Sequence, residues 1–172
     1  MQHSRRQMPK TNKKTPVFFP EIQRAVVEEA RTWIGTPYGH QGRLKGTRVD
    51  CIGVVMMVGI DLGLIDVPDS RIKAYGGYSR QPNPNHMGNI LHEFLTPLDL
   101  PLNEPAPDGC IGWVYWRRDM PMHLCIMSSF EGRRMMVHAY STARKCCEHG
   151  FQSEWTERVH QWFCYPPMLK GK

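Results

Sequence analysis

Six cysteines and eight histidines offer nucleophiles, bases and metal ligands. Cys51 is the one whose surroundings point to chemistry. It follows Asp50, a natural helix N-cap, so it opens a helix. Unpaired backbone N–H groups and the positive end of the helix dipole converge there, and both favour thiolate, the reactive form, over thiol. The same N–H groups can hold the oxyanion of a tetrahedral intermediate. The competing reading is a structural cysteine in a core helix. None of the other five, Cys110, Cys125, Cys146, Cys147 and Cys164, has this placement. A thiolate nucleophile needs a base from elsewhere in the chain. His123 opens a predicted strand and His138 closes the one paired with it, about a turn near Glu131-Gly132. The two fall near each other across the ladder, one placed to act as base and the other to orient its ring.

The elements that carry these residues read in order. Residues 1–16 form a basic, flexible arm. A helix starts at Pro20, and Ile22, Val26, Ala30 and Trp33 give it one apolar face before Gly35-Thr36-Pro37 stops it. Residues 35–49 read as a glycine-rich loop. Cys51 to Leu62 is apolar nearly all round, a buried helix closed by Gly63. Residues 66–107 are rich in Pro, Asn and Gly around one helical patch, Ile90 to Leu95. The last third changes period: strands are predicted over 111–116, 122–128, 134–140, 143–149 and 159–165. Helices first and an antiparallel sheet after them predict an α+β domain over 17–168, with a basic tail at 169–172.

Two blocks then carry a family likeness. Ala30-Arg31-Thr32-Trp33-Ile34-Gly35-Thr36-Pro37-Tyr38, followed by Val49-Asp50-Cys51-Ile52-Gly53-Val54-Val55, closely resembles the NlpC/P60 cysteine peptidases. The longer Gly39-His40-Gln41-Gly42 linker with Lys45-Gly46 resembles the phage and gene-transfer-agent version of that family. His123-Leu124-Cys125-Ile126 and Val137-His138-Ala139 look like its second and third motifs. The resemblance spans residues 20 to about 166. It implies a papain-like α+β fold and hydrolysis of amide bonds in peptidoglycan stem peptides, often next to D-glutamate or diaminopimelate. Carried over by motif, Cys51 is the nucleophile, His123 the general base and His138 the orienting third member. Tyr38 matches the active-site tyrosine near the oxyanion. Asp50 matches the acidic residue before the cysteine, where capping the helix is an equal role. Three departures stand out: Ile52 where the family usually has Ser, Cys125 where it commonly has Gly, and a longer separation between the two histidines.

Composition bounds the rest. Lys and Arg total 22 against 16 Asp and Glu, a net charge of +6. Arg5, Arg6, Lys10, Lys13 and Lys14 lie in the first fourteen residues and Lys170 and Lys172 in the last three, so the body between them carries 15 basic and 16 acidic groups. A fold built to bind nucleic acid places its charge on the folded surface, so no specific nucleic-acid partner is expected. No apolar run reaches the ~18 residues of a membrane helix. No apolar stretch follows the basic start, so no secretory signal is expected. Such a chain is made in the host cytoplasm and, on the phage resemblance, reaches the cell wall in the virion tail. Its partners would be stem peptides and other tail-tip or hub proteins, these docking through residues 1–16. An alternative is a structural tail-tip subunit that keeps the fold and hydrolyses little. Six cysteines invite a disulfide framework, but size and context argue for free thiols. No CxxC pair occurs; Cys110, Cys125, the Cys146-Cys147-Glu148-His149 string and the histidines leave a metal-binding module as a third alternative. The peptidase reading needs no metal and no cofactor.

Overall fold

The computed structural model describes residues 15–68, 83–117 and 120–170. Residues 1–14 of the arm predicted over 1–16, residues 69–82 of the Pro-rich stretch and Lys172 lie outside them. The architecture is α+β: helices pack on one six-stranded antiparallel sheet, as the order of periods predicts.

Helix α1 (Pro20–Arg31) begins with Pro in its first turn and buries Val26, Val27 and Ala30. Trp33, just beyond its end, is fully buried. The stretch read as a loop contains a small hairpin, β1 (Arg43–Leu44) and β2 (Arg48–Val49), joined by a turn with Gly46 at φ 76°. Strands of two residues leave too short an alternation to be seen in sequence. Helix α2 (Cys51–Asp61) buries Gly53, Val54, Val55, Met56, Val58 and Gly59, and the left-handed Gly63 follows its end. The fully buried Tyr165 donates its hydroxyl to the Val55 carbonyl (2.6 Å), which locks α2 to the sheet.

Helix α3 (Pro84–Phe94) is longer than the predicted patch, because Asn83 caps it and Pro84 starts it. It leads to an edge strand that the reading missed, β3 (Thr96–Leu98). Then come β4 (Ile111–Arg117), β5 (Met120–Phe130), β6 (Arg133–Tyr140), β7 (Lys145–Gly150), the one-turn helix α4 (Ser153–Thr156) and β8 (Val159–Cys164). The sheet order is β3-β8-β4-β5-β6-β7. Glu131 (φ 49°) and Gly132 (φ 74°) make the tight β5–β6 turn, so the register pairs Ile126 with Val137. In the β6–β7 ladder His138 faces Cys147. At the ends of the described chain, Phe18 bridges Leu169 and Lys170 N–H donates to the Val17 carbonyl, so residues 169 and 170 are paired to the body. All six cysteines are free thiols.

Candidate active site

Asp50 sets the position of Cys51. Its carboxylate accepts from the Gly53 N–H (2.8 Å) as the helix cap and from the Gln41 N–H (2.6 Å), tying α2 to the loop before it. That loop passes so close that a Cβ on Gly53 would lie 2.2 Å from the Gly42 carbonyl oxygen. Upstream, residues 35–38 run along the outer edge of β7: Gly35 N–H donates to the Cys146 carbonyl, Cys146 N–H to the Thr36 carbonyl and Tyr38 N–H to the Arg144 carbonyl. Tyr38 thus stands beside the start of α2 with its side chain exposed.

Cys51, His123, Tyr38 and Asp50 line one cleft of about 110 Å³, together with His40, Ile52, Trp116, Met122, Ala139 and Ser141. The sulfur of the half-buried residue Cys51 lies 4.0 Å from the Met122 carbonyl oxygen. The backbone N–H groups of Leu124, Ile52 and Cys51 itself face it. The residues on both sides of His123 therefore touch the sulfur. His123 Nε2 pairs with His138 Nδ1 at 2.6 Å, and among the described residues Nδ1 of His123 has no hydrogen bond. The sheet continues the row: His138 Nε2 pairs with His149 Nε2 at 2.8 Å, and His149 Nδ1 reaches the Gly150 carbonyl at 3.0 Å.

A carbonyl only accepts, so His149 Nδ1 carries a proton. With His149 as the neutral imidazole, its Nε2 accepts from His138 Nε2–H. His138 Nδ1 then accepts from His123 Nε2–H, and His123 Nδ1 is left as a free lone pair. Burial holds His123 and His138 neutral: it pushes His123 down to about 3, with His149 adding to the effect, and His138 down to about 2, with His123 and His149 adding. Aromatic rings enclose the row. Tyr140 stacks on His138 (centroids 4.9 Å, 17°), Trp155 stands edge-on to it (5.5 Å, 90°) and Trp116 lies 5.1 Å from His123.

In one respect the electrostatics reverse the expectation from sequence. Desolvation pushes the Cys51 thiol up to about 12, and the Asp50 charge adds to it, against the pull of the three backbone N–H groups. The resting site thus holds a neutral thiol and a neutral imidazole in one cleft rather than a preformed ion pair. Sequence reasoning also missed His149 as the third ring of the row, and His40, Trp116 and Ser141 as lining. The alternation over 146–149 puts Cys147 and His149 on one face and Cys146 and Glu148 on the other, which was the available signal. Glu148 faces Arg31 (2.7 Å) and Ser128 (2.7 Å).

No family model and no curated protein matches the sequence. Solved structures do match. Over 90% of this chain and 45% of the other, the fold superposes with a TM-score of 0.57 and 17% identity on a protein similar to a lipoprotein, of the NLP/P60 family, from Staphylococcus aureus subsp. aureus Mu50. The chain thus spans less than half of that protein. A second match, the NlpC/p60 domain of peptidoglycan hydrolase SagA, has 19% identity, covers 74% of this chain and 88% of the other, and has a TM-score of 0.48. The fold is the papain-like fold of NlpC/P60 domains. Among the described residues no helix is long and apolar enough to cross a membrane.

Proposed function

We propose that this chain is a cysteine endopeptidase that hydrolyses amide bonds in peptidoglycan stem peptides, working from a phage tail during local penetration of the cell wall. The observation that carries the reading is the meeting, in one cleft, of a helix-opening cysteine and a histidine whose free nitrogen is fixed by a second histidine. The likeness to NlpC/P60 folds supports the substrate class. The Gly39-His40-Gln41-Gly42 linker with Lys45-Gly46, which resembles the phage and gene-transfer-agent form, supports the tail setting, with the arm over 1–16 as the docking element.

In this mechanism the His123 Nδ1 lone pair takes the Cys51 proton as the sulfur attacks the scissile carbonyl. The Cys51 N–H and the Tyr38 hydroxyl hold the oxyanion, while Asp50 sets the helix start that aims the N–H. His138 keeps the base in its productive tautomer and stabilises the imidazolium. His123 then protonates the leaving amine, and water hydrolyses the acyl-enzyme. None of these steps calls on a cofactor.

The test is mass spectrometry of fragments released from purified peptidoglycan. Wild-type protein should release cleaved stem peptides, and Cys51→Ala should release none. Equal release by the variant would overturn the catalytic assignment. No release by either, with tail particles still assembling around both, would assign the chain to a structural place in the tail tip.

A further inference from the structure

His138, Cys147 and His149 share one face of the β6–β7 ladder. His138 and Cys147 are directly paired, and His149 follows Cys147 by two residues on the same side. One ring nitrogen from each histidine and the thiol sulfur all lie within 4.8 Å of one another. Tetrahedral zinc, with Zn–N of about 2.0–2.1 Å and Zn–S of about 2.3 Å, spaces its ligand atoms roughly 3.3–3.6 Å apart. To reach that, the widest separation, of up to 4.8 Å, closes by about 1.2 Å, and the His138–His149 contact of 2.8 Å opens by about half an ångström.

Two further features suit a metal. A ligating histidine almost always donates its other N–H to a carbonyl or carboxylate, and His149 already does so to Gly150. Cys147 and His149, on the last strand of the sheet, are half-buried and give the side from which a cation would reach the buried His138. Two imidazoles and a thiolate select zinc-like cations over magnesium or calcium.

We infer that His138, Cys147 and His149 form a binding site for a divalent transition cation of the zinc type, and that filling it switches the hydrolase off. The second half rests on the proposed peptidase reading. Coordination takes the Nε2 lone pairs of both histidines, and the Cys147 thiol gives its proton to solvent. The proton on His138 Nε2 must then move to Nδ1, where it faces His123 Nε2–H. His123 relieves the clash by moving its own proton from Nε2 to Nδ1. Each ring keeps one proton, but His123 now presents an N–H to the Cys51 thiol, and the base is gone. Reaction and regulation would thus share His138.

Cobalt(II) titration of full-length Cys51→Ala tests the site without using activity. The expected result is one equivalent bound, with thiolate-to-cobalt charge-transfer and four-coordinate d–d bands. Cys51→Ala/Cys147→Ser should lose the charge-transfer band, and Cys51→Ala/His149→Gln should bind at least tenfold more weakly. Unchanged bands in the Cys147→Ser background, or no binding, would overturn the site. Nitrogen-15 NMR of the His123 ring in Cys51→Ala should show its proton moving from Nε2 to Nδ1 as zinc is added; an unmoved proton on a zinc-loaded protein would overturn the switch. In peptidoglycan digests Cys147→Ser should match wild type without metal and need at least tenfold more zinc for inhibition. Equal zinc sensitivity would place the metal on Cys51 and His123 and overturn the switch. Cobalt binding by Cys51→Ala alongside a wild type that never cleaves would leave the site standing and fail the peptidase reading alone.

Discussion

A thiol held at about 12 and an imidazole held at about 3 do not exchange a proton at rest. In the proposed mechanism the proton would move only as the substrate's developing charge favours it, with His123 acting as a general base in the attack itself. Iodoacetamide labelling of Cys51, followed by mass spectrometry, should therefore keep rising with pH beyond 9; a plateau reached by pH 7 would show a preformed thiolate. The histidine row adds a second expectation. His138→Ala removes the group that fixes the His123 tautomer and should lower kcat by up to about 10⁴-fold with KM little changed, the loss seen when an orienting member is replaced. His149→Ala acts one bond further away and should cost less, while shifting the pH–rate profile because the tautomer of His138 is no longer set. An unshifted profile would reduce His149 to packing.

Helices and strands hold these groups through a few close approaches. The start of α2 and the loop over 39–42 interlock at Gly53 and Asp50, where a side chain on Gly53 has no room beside the Gly42 carbonyl. Gly53→Ala should lower the melting temperature and also reduce activity, because relief requires the loop carrying Tyr38 to move away from Cys51. A variant as active and as stable as wild type would show that the interlock is dispensable. The helix cap is a smaller contribution: losing such a side chain costs about 1 kcal/mol. On the sheet, the two-residue turn at Glu131-Gly132 sets the register, which places His123 and His138 on one face with ring centroids 4.9 Å apart. One residue of slip would send one of them to the opposite face.

For the molecule as a whole, buried neutral histidines make stability depend on pH. In the unfolded chain each ring titrates near 6.5, whereas His123 and His138 stay neutral in the fold down to about 3 and about 2. Below pH 6.5 the unfolded state binds protons that the native state refuses. Stability is therefore full above that value and falls as pH drops toward the folded values. Between pH 8 and pH 5 the loss is about 2 kcal/mol for each ring that stays neutral. Denaturant melts at the two pH values should show this loss, and His138→Gln should show about half of it. Equal loss in both proteins would assign the pH dependence to other groups.

Local signals in the sequence determined the helix-opening placement of Cys51, the core helix behind it and the order of helices before sheet. Asp50 before Cys51, an all-apolar stretch and an alternating last third are short-range patterns, and short-range sterics and burial suffice to read them. The pairing of His123 with His138 was legible for the same reason, since one tight turn sets it. Residues 35–49 and 96–98 hid their strands because two or three residues carry no period. His149 joined the row only through the β6–β7 register, which depends on the turn over 141–144 and its left-handed Arg144. The protonation state of Cys51 was decided by tertiary structure as well. A helix N-terminus favours thiolate in any sequence, but the desolvation that outweighs it here comes from what the fold packs around the sulfur.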